Sequence, residues 1–404
     1  MSKFVHLRRF LNFLTIKHNN YIYVAPHHNA FIDNYSLDNA NSDNVLAYVN
    51  YLKQGNEPDL NLRIYIETTT PDMERFSNGN IEIIPLYIND NAGKVQKIKS
   101  KLKRMTTKYH CNQWWRDNPT IEFEDHVKSQ KVVCFNYGTE SKNSYAKRSS
   151  HLWDNYTHVF STSILDARVQ VSNFGGSLDK FYICGYSRND CLLKNERENV
   201  IRNWLKSIGI ELKDAKFIVY APTVNEEPSL FEKYFFGFDD KGELEKFLEE
   251  QNIYILYKPH PLERYKGEFK TNRVIEYPRS KEFSLYDLLS FSDALITNYS
   301  SVVYDYLITG KPVIYNYANL EEYMNIRGLA YEPPYAMLVD EPATNWEEMK
   351  ERFKSIFKQP VSKKYFDVQR ILNKYVDSNS SKRITEILFN DKEAQKYKVK
   401  EWLF

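Results

Sequence analysis

The feature that most constrains the fold of this chain is an alternation, in its second half, of short apolar runs with helical patterns. Helices are predicted where apolar residues recur at i, i+3 and i+4, over 242–251, 284–292 and 301–310. The apolar runs between them predict strands at 217–222, 253–257, 273–277, 293–297 and 312–316. Apolar strands separated by helices indicate a parallel sheet covered on both faces. The second half is therefore predicted to be a doubly wound α/β domain.

The first half of the chain shows the same alternation less clearly. Its predicted strands are 21–26, 62–67, 81–87, 131–138, 158–162 and 180–186, and its predicted helices are 41–53, 94–105 and 194–207. A length of 404 residues fits two domains of roughly 150 to 200 residues each. We expect residues 1–207 to form one domain and 208–380 a second, with a helix in 381–404 packing back on the first.

Composition narrows the classes of function. A net charge of +2 gives no global positive field, so nucleic acid is not an expected partner. The four cysteines lack zinc-like spacing, so we expect no metal and a reducing cytoplasm. We also expect no cofactor. No apolar run reaches the roughly 18 to 20 residues of a bilayer span. The basic amphipathic stretch 94–108 fits either a helix lying on anionic lipid or a solvated surface helix.

The stretch DALITNYSSVVYDYLITGKPVIYN, at 293–316, places hydroxyl groups where a buried strand gives way to a helix. The strand is predicted to end at Thr297, and Ser300 or Ser301 follows in the N-cap region of a helix that Gly310 ends. The N-terminus of such a helix carries unpaired amides and a partial positive charge, which attract anions. Two interpretations stay open, namely serine capping alone or a site for phosphate oxygens.

Three further side chains are predicted to lie near these hydroxyls. Asp305 follows Ser301 by one helical turn, and it is either a solvated first-turn acid or an acceptor for ribose or polyol hydroxyls. Lys258 and His260 directly follow a strand, where flanking prolines keep the loop extended. Phosphoryl transfer needs positive charge around the phosphoryl oxygens, and such a pair suits that reaction.

Taken together, these motifs resemble one enzyme family. The KPHP segment at 258–261, the stretch at 293–316 and GKPVIYNYANLEEY at 310–323 are similar to the CDP-glycerol glycerophosphotransferases that build teichoic acids and related capsule polymers. WDNYTHVFSTS at 153–163, CGYSRND at 184–190 and IVYAPT at 218–223 also resemble segments of that family. The resemblance runs from about residue 130 to 330, and more loosely over 20–60, where APHHNAFIDN lies.

The resemblance implies a GT-B architecture, in which two Rossmann-like domains face a cleft and the second binds a CDP-linked donor. His260 would be the catalytic histidine near the pyrophosphate. The donor-binding residues would be Lys258, Arg188, Thr297, Ser300, Ser301 and Asp305. The implied reaction moves glycerol phosphate or another polyol phosphate from CDP-glycerol or CDP-ribitol to a polymer or lipid-linked acceptor and releases CMP. The enzyme would work as a peripheral protein on the inner face of the cell membrane.

One departure from the family's pattern concerns the group that takes the acceptor's proton. The family usually carries W-H-G-T-P after a first-domain strand, whereas residues 135–141 read FNYGTES, so Tyr137 replaces the histidine. A phenol with a pKa near 10 is a poor base at neutral pH unless its surroundings lower that value. Four possibilities stay open. Tyr137 is activated, or His27, His28 or Glu140 takes the role, or the transfer needs little base assistance, or activity is lost.

Two competing functions follow. The GT-B fold alone does not fix the donor, so a glycosyltransferase that uses a nucleotide sugar is the alternative within the same class. The replacement at Tyr137 motivates a different class, a catalytically inactive subunit that binds the donor.

Overall fold

A computed structural model of the chain describes residues 3–26, 43–69, 74–89, 91–119, 124–144, 151–210, 212–223, 241–258, 271–277, 282–326, 328–331 and 335–400. The chain divides into two compact units. The first unit consists of Met1–Tyr137, Tyr145–Arg188 and Asn379–Phe404, and the second consists of Gly138–Ser144 and Asn189–Ser378.

The described strands are β1 (His18–Ala25), β2 (Leu62–Thr68), β3 (Phe76–Asn78), β4 (Ile81–Tyr87), β5 (Cys111–Arg116), β6 (Lys131–Cys134), β7 (His158–Ser161), β8 (Phe181–Ile183), β9 (Lys216–Tyr220), β10 (Ile253–Tyr257), β11 (Val274–Glu276), β12 (Ala294–Thr297) and β13 (Val313–Tyr315). The described helices are α1 (Lys3–Leu14), α2 (Asn44–Lys53), α3 (Lys94–His110), α4 (Ile164–Phe174), α5 (Glu198–Ser207), α6 (Lys241–Glu250), α7 (Leu285–Phe291), α8 (Val302–Tyr306), α9 (Leu320–Ile326), α10 (Trp346–Ser355), α11 (Lys363–Leu372), α12 (Ser380–Phe389) and α13 (Asp391–Ala394).

The sheet of the first unit has the strand order β3-β4-β2-β1-β5-β6-β7-β8. All neighbouring strands are parallel except β3 and β4. The chain runs outward from β1 in one direction through β2 and β4, and then in the other direction through β5 to β8. Ligands of doubly wound sheets bind at this reversal, just beyond the carboxyl ends of the strands. In the first unit the reversal lies between β1 and β5, which ends at Arg116.

The C-terminal helices complete the core of the first unit. Ile384, Ile387 and Leu388 of α12 are buried in one cluster with strand residues such as Ile22 and Ile64. Their i, i+3, i+4 spacing puts all three on one helical face. The backbone of Gly185 packs closely against Ser380 at the start of α12. Gly185 has a φ of +83°, and a Cβ there would lie 2.5 Å from the hydroxyl of Ser380. Only glycine fits that position without displacing α12.

The second unit is built on a five-stranded parallel sheet with the order β11-β10-β9-β12-β13. Four of its strands are almost wholly buried, as apolar strands between helices predict, and the edge strand β11 is buried only at Val274. Leu244 and Leu248 of α6, together with Trp346, Met349 and Phe353 of α10, pack with them in one apolar cluster. The chain reverses direction across the sheet between β9 and β12. The prediction of doubly wound sheets is confirmed.

The division of the chain differs from the expected boundary at 207/208. The first unit gives way to the second at 188/189, because α5 packs on the second unit. Trp204 lies 5.3 Å from the ring of Phe283, measured between centroids, and Arg202 lies over the ring of Phe291 at 5.3 Å. Residues 138–144 also belong to the second unit, where Ala330 donates its backbone N–H to Ser141 O at 2.9 Å.

Candidate functional site

The NYSS stretch lies at the point where the strand order of the second sheet reverses. Thr297, the last residue of β12, is fully buried and donates its hydroxyl to Ala221 O, just after β9, at 2.8 Å. Asn298 accepts the backbone N–H of Thr223 through its side-chain oxygen at 2.7 Å. These two bonds join the carboxyl ends of β9 and β12. Doubly wound sheets bind their ligands at this point.

The two serines are half-buried, and their hydroxyls do not act as the helix cap. Ser301 occupies the N-cap position of α8 with φ −63° and ψ −13°, and its side chain makes no capping hydrogen bond. The helix starts instead with backbone bonds, in which Val303 and Tyr304 donate to the carbonyls of Ser300 and Ser301 at 3.3 and 3.1 Å. Capping by the Ser301 hydroxyl is therefore wrong. The interpretation as a phosphate site stays a prediction.

The other end of this helical segment is fixed by α11. Gly310 ends the segment with a φ of +70°, as predicted from the glycine ahead of Lys-Pro. Tyr365 donates its hydroxyl to Lys311 O at 2.8 Å and to Leu307 O at 3.2 Å. Gln369 also donates to Leu307 O, at 2.5 Å, and Asn373 donates to Tyr304 O at 2.8 Å. Two side chains of α11 and one from its C-cap residue, Asn373, thus add donors to carbonyls at and near the end of this segment.

Asp305 is fully buried, so the interpretation as a solvated first-turn acid is wrong. One carboxylate oxygen accepts the side-chain amide of Asn189 at 3.0 Å, and the other accepts the hydroxyl of Tyr286. Asn189 belongs to the CGYSRND segment, so this carboxylate ties that segment to the helix after the NYSS stretch. The predicted role of Asp305 toward a donor hydroxyl stays a prediction.

Of the KPHP segment, only Lys258 lies within the described residues. Lys258 follows β10 and donates its backbone N–H to Tyr220 O at the end of β9, at 2.9 Å. It therefore starts the loop beside the same reversal point, as predicted. His260 lies outside the described residues, and so do His27 and His28.

At the reversal point of the first sheet lies a buried pair of carboxyl groups. Asp117 directly follows β5 and accepts the backbone N–H of Val45 at 3.0 Å, while Asp43 caps α2 by accepting from Leu46 at 2.9 Å. Burial and the adjacent Asp43 carboxyl raise the pKa of Asp117 well above its ordinary value, and the positive charge of Arg188 opposes this rise. A second carboxyl group beside a buried one favours the protonated form of that pair.

Arg188 is buried in the first unit, beside this pair. Its guanidinium lies 5.7 Å from the ring centroid of Tyr186, and its backbone N–H donates to the side-chain oxygen of Asn44 at 3.3 Å. Its contacts within the first unit are thus with the reversal point of that sheet. The role of Arg188 in donor binding stays a prediction.

Tyr137 is 48% exposed, and its backbone is held by its neighbour Asn136. Asn136 has a φ of +69°, accepts the Tyr137 N–H at 2.9 Å and donates to Phe160 O at 3.3 Å. Asn44, next to the carboxyl pair, donates to Asn136 O at 2.7 Å. Tyr137 therefore stands on a fixed backbone. Glu140, the other described candidate for the base, belongs to the 138–144 segment of the second unit.

Sequence reasoning missed several of these residues. Asp43, Asn44 and Asp117 belong to no motif, and Asn136 precedes Tyr137 in FNYGTES, although all four lie near the end of a strand or the start of a helix. Among the described residues, no three His, Cys, Asp or Glu side chains are grouped so that they could hold a metal ion. Within the described part of the chain, no helix is both long enough and apolar enough to span a membrane.

Residues 104–390 match the family described as CDP-glycerol:poly(glycerophosphate) glycerophosphotransferase. This match covers more than half of the chain and includes the NYSS stretch, Tyr137 and the CGYSRND segment. The chain belongs to this family.

Individual relatives of the glycerophosphotransferase family match shorter parts of the chain. The teichoic acid ribitol-phosphate polymerase TarK of Staphylococcus aureus is 24% identical over 58% of this chain and 45% of its own length. A teichoic acid glycerol-phosphate transferase of the same organism is 29% identical over 52% of this chain and 53% of its own length. The chain thus spans about half the length of these curated relatives.

A solved structure shares the fold of this chain. The wall teichoic acid polymerase TagF superposes with a TM-score of 0.68 at 18% identity, over 97% of this chain and 94% of that chain. The GT-B class predicted from the sequence is confirmed.

Proposed function

We propose that this protein transfers glycerol phosphate, or a related polyol phosphate, from a CDP-linked donor to a hydroxyl of a teichoic acid or capsule polymer or of its lipid-linked primer. The observation that carries the proposal is the family match over residues 104–390, which includes the NYSS stretch at the reversal point of the second sheet. CDP-glycerol and CDP-ribitol are the candidate donors.

The second unit would hold the donor. Ser300 and Ser301 are half-buried hydroxyls at the carboxyl end of β12, where they can donate to pyrophosphate oxygens. Lys258 starts the neighbouring loop after β10, and His260 follows it in sequence. These two side chains would stabilise the negative charge that develops on the departing CMP.

In the reaction, the acceptor hydroxyl oxygen would attack the phosphorus that bears the polyol. The new P–O bond forms as the P–O bond to CMP breaks, CMP leaves with the electron pair, and the acceptor's proton goes to a base. Tyr137 and His28 are the candidates for this base, with Glu140 as a further one. Tyr137 is half exposed on a fixed backbone, and this supports its candidacy.

The place of action would be the inner face of the cell membrane, where a lipid-linked acceptor is anchored. The basic stretch predicted at 94–108 forms α3, and it exposes Val95, Ile98 and Leu102 by 69%, 59% and 52%. Exposed apolar residues among lysines favour the interpretation as a lipid-facing helix over that of a purely solvated one.

The test is a donor screen. The purified protein is incubated with CDP-glycerol, CDP-ribitol or UDP-sugars and a supplied polymer acceptor, and free nucleotide is measured. We expect CMP from a CDP-polyol and none from the UDP-sugars. Release of UDP instead would favour the nucleotide-sugar transferase. Donor binding without turnover on any acceptor would favour the inactive subunit.

Three variants separate the catalytic roles. His260→Ala should abolish CMP release while the fold, followed by circular dichroism, is retained. Tyr137→Phe and His28→Gln should be compared over a range of pH. The base is the residue whose replacement removes the acidic limb of the rate profile, where the rate falls because the base becomes protonated, and an unchanged profile rules that residue out.

A further inference from the structure

We propose that Asn44 is a positioning residue of the transferase, whose side-chain amide holds Tyr137 and Arg188 in a fixed register. The inference rests on the proposed function, in which Tyr137 is a candidate for the base and Arg188 a candidate for donor binding. All three residues belong to the first unit. Asn44 acts through the other two residues rather than on the reacting atoms.

The peptide group that carries Tyr137 is held at both of its polar ends. Its N–H donates to the side-chain oxygen of Asn136 at 2.9 Å, and its carbonyl, that of Asn136, accepts from the side-chain amide of Asn44 at 2.7 Å. Asn136 also donates its own side-chain amide to Phe160 O at 3.3 Å. A planar peptide group with both polar atoms bonded cannot rotate without breaking a hydrogen bond. The direction in which the Tyr137 side chain leaves the backbone is thereby set.

The same side chain of Asn44 holds the segment that contains Arg188. Its oxygen accepts the backbone N–H of Arg188 at 3.3 Å, and the backbone carbonyl of Asn44 accepts the hydroxyl of Ser187. Residues 136 and 188 are 92 and 144 positions away from Asn44 in the chain. One planar amide therefore sets the spacing between two segments that follow different strands, β6 and β8.

Asn44 is itself fixed on both sides, at the start of α2. The residue before it, Asp43, caps the helix by accepting the backbone N–H of Leu46 at 2.9 Å. The residue after it, Val45, donates its backbone N–H at 3.0 Å to Asp117, which directly follows β5. Asn44 is fully buried, so water does not compete for its bonds. It thus ties both segments to the reversal point of the first sheet.

The position requires an amide of this length. The bridge needs a donor and an acceptor on one side chain, which asparagine has. An ionised aspartate only accepts, serine is shorter by one atom, and glutamine is longer by a methylene group. A purely structural role would be met by bonds to any nearby backbone. The side-chain bonds of Asn44 go instead to the peptide groups next to the two described candidates for function in this unit.

Steady-state kinetics test the proposal, with the CDP-polyol that yields CMP in the donor screen and a soluble polymer acceptor. At saturating donor, Asn44→Ala should lower kcat by roughly tenfold to a hundredfold, as expected for a base displaced by about 1 Å. In the Tyr137→Phe background the same replacement should change kcat by less than about twofold, because the positioned group is already gone. Loss of the bond to Arg188 should appear separately, as a higher KM for the donor. An equal loss of kcat in both backgrounds overturns the proposal.

Asn12 provides the matched control. It is also fully buried in the first unit, and its side-chain amide donates to Asp125 O at 2.9 Å and to the side-chain oxygen of Gln130 at 2.8 Å. Asn12→Ala should lower the urea midpoint as Asn44→Ala does, but keep the wild-type kcat. If both variants lose the same kcat, the loss comes from lower stability and the proposal is wrong. Asn44→Ser keeps a polar group but is too short to bridge both segments, and it replaces Asn44→Ala if the alanine variant does not fold.

Amide hydrogen exchange tests the positioning without any turnover. Exchange in the peptides that contain Tyr137 and Arg188 should be faster by roughly tenfold or more in the Asn44 variants, and unchanged in Asn12→Ala. Wild-type exchange at Tyr137 in the Asn44 variants overturns the proposal. A wild-type protein that yields no CMP with any donor overturns the proposed function and this role with it. Asn44 variants that release CMP as fast as an active wild type overturn only the role of Asn44.

Discussion

The side-chain amide of Asn189 donates a 3.0 Å hydrogen bond to the carboxylate of Asp305, and both groups are fully buried. The two residues are 116 positions apart in the chain. One lies in the CGYSRND segment and the other in the helix after the NYSS stretch. The family resemblance rests partly on these two motifs, and within the second unit this bond joins Asn189 of the first to the helix that follows the second.

Replacement of Asp305 should therefore lower stability as well as activity. In Asp305→Ala, the buried donors of Asn189 and Tyr286 lose their acceptor, and we expect the free energy of unfolding to fall by about 2 kcal/mol or more. Asp305→Asn should lose less, since its oxygen can accept from Asn189 and the tyrosine hydroxyl can accept from its nitrogen. Urea unfolding measures both variants. If Asp305 serves only the donor, Asp305→Ala will unfold at the wild-type midpoint.

The hydroxyl of Tyr365 should stabilise the second unit measurably. Tyr365→Phe removes a donor from the half-buried carbonyl of Lys311 and from the buried carbonyl of Leu307, although Gln369 and the backbone N–H of Gly310 still serve the latter. We expect a loss of about 1 to 2 kcal/mol in the free energy of unfolding. Tyr335→Phe, at a tyrosine that is 43% exposed, is the matched control and should change little. Equal effects of the two changes would contradict the capping role.

The left-handed backbone at Asn136 should make alanine worse than glycine. Both Asn136→Ala and Asn136→Gly lose the side-chain bonds to Tyr137 and Phe160. Only alanine also strains the φ of +69°, which costs about 1 to 2 kcal/mol more. Denaturant midpoints should thus rank wild type above glycine above alanine. Identical midpoints for the two variants would show that the loop relaxes to another conformation.

The carboxyl pair should make the first unit less stable as the pH rises. The folded state holds the pKa of Asp117 above the value of about 3.9 found in unfolded chains, so the folded state keeps a proton that the unfolded state has released. The free energy of unfolding then falls, by up to about 1.4 kcal/mol per pH unit, until the folded pKa is passed. Asp117→Asn mimics the protonated acid and should flatten this dependence in urea titrations above pH 4. An unaltered slope would mean that the pair holds no extra proton.

His158 should have the opposite effect at acid pH. Burial, with a smaller contribution from nearby Lys131, lowers the pKa of His158 to about 3, whereas an unfolded histidine titrates near 6.5. Stability contributed by the neutral ring is full above pH 6.5 and is lost as the pH falls toward 3. His158→Phe keeps a ring against Tyr182 and should lose less stability between pH 7 and pH 5 than wild type. His6→Gln, at an exposed histidine, should follow the wild-type curve.

The parts of the fold that the sequence predicted are those with local signals. The strands of the second unit and its helices α5 to α8 follow from apolar periodicity, whereas α9, α10 and α11 were not predicted. Gly310 ends its helix because glycine tolerates a positive φ. β5 was missed, since CNQWWR mixes polar with apolar residues although four of its six positions are buried. The boundary at 188/189 was missed because it depends on tertiary packing of α5, which no local pattern records.

The candidate site, like the fold, was predictable only where its signals are local. Ser300 and Ser301 were placed correctly at the end of a strand, but whether a hydroxyl caps the helix depends on a backbone dihedral angle that composition does not fix. The pairs Asp43 with Asp117 and Asn189 with Asp305 join distant parts of the chain. Such contacts are set by strand order, and they become visible only once the sheets are assembled.

The burial of α12 in the first unit has a consequence for biosynthesis. Ile384, Ile387 and Leu388 fill the core of a unit whose strands are all complete by residue 183, yet nearly all of the second unit is translated in between. Domains usually fold in the order in which they leave the ribosome. Here the second unit can fold as it emerges, while the first must wait with an open core until α12 is released.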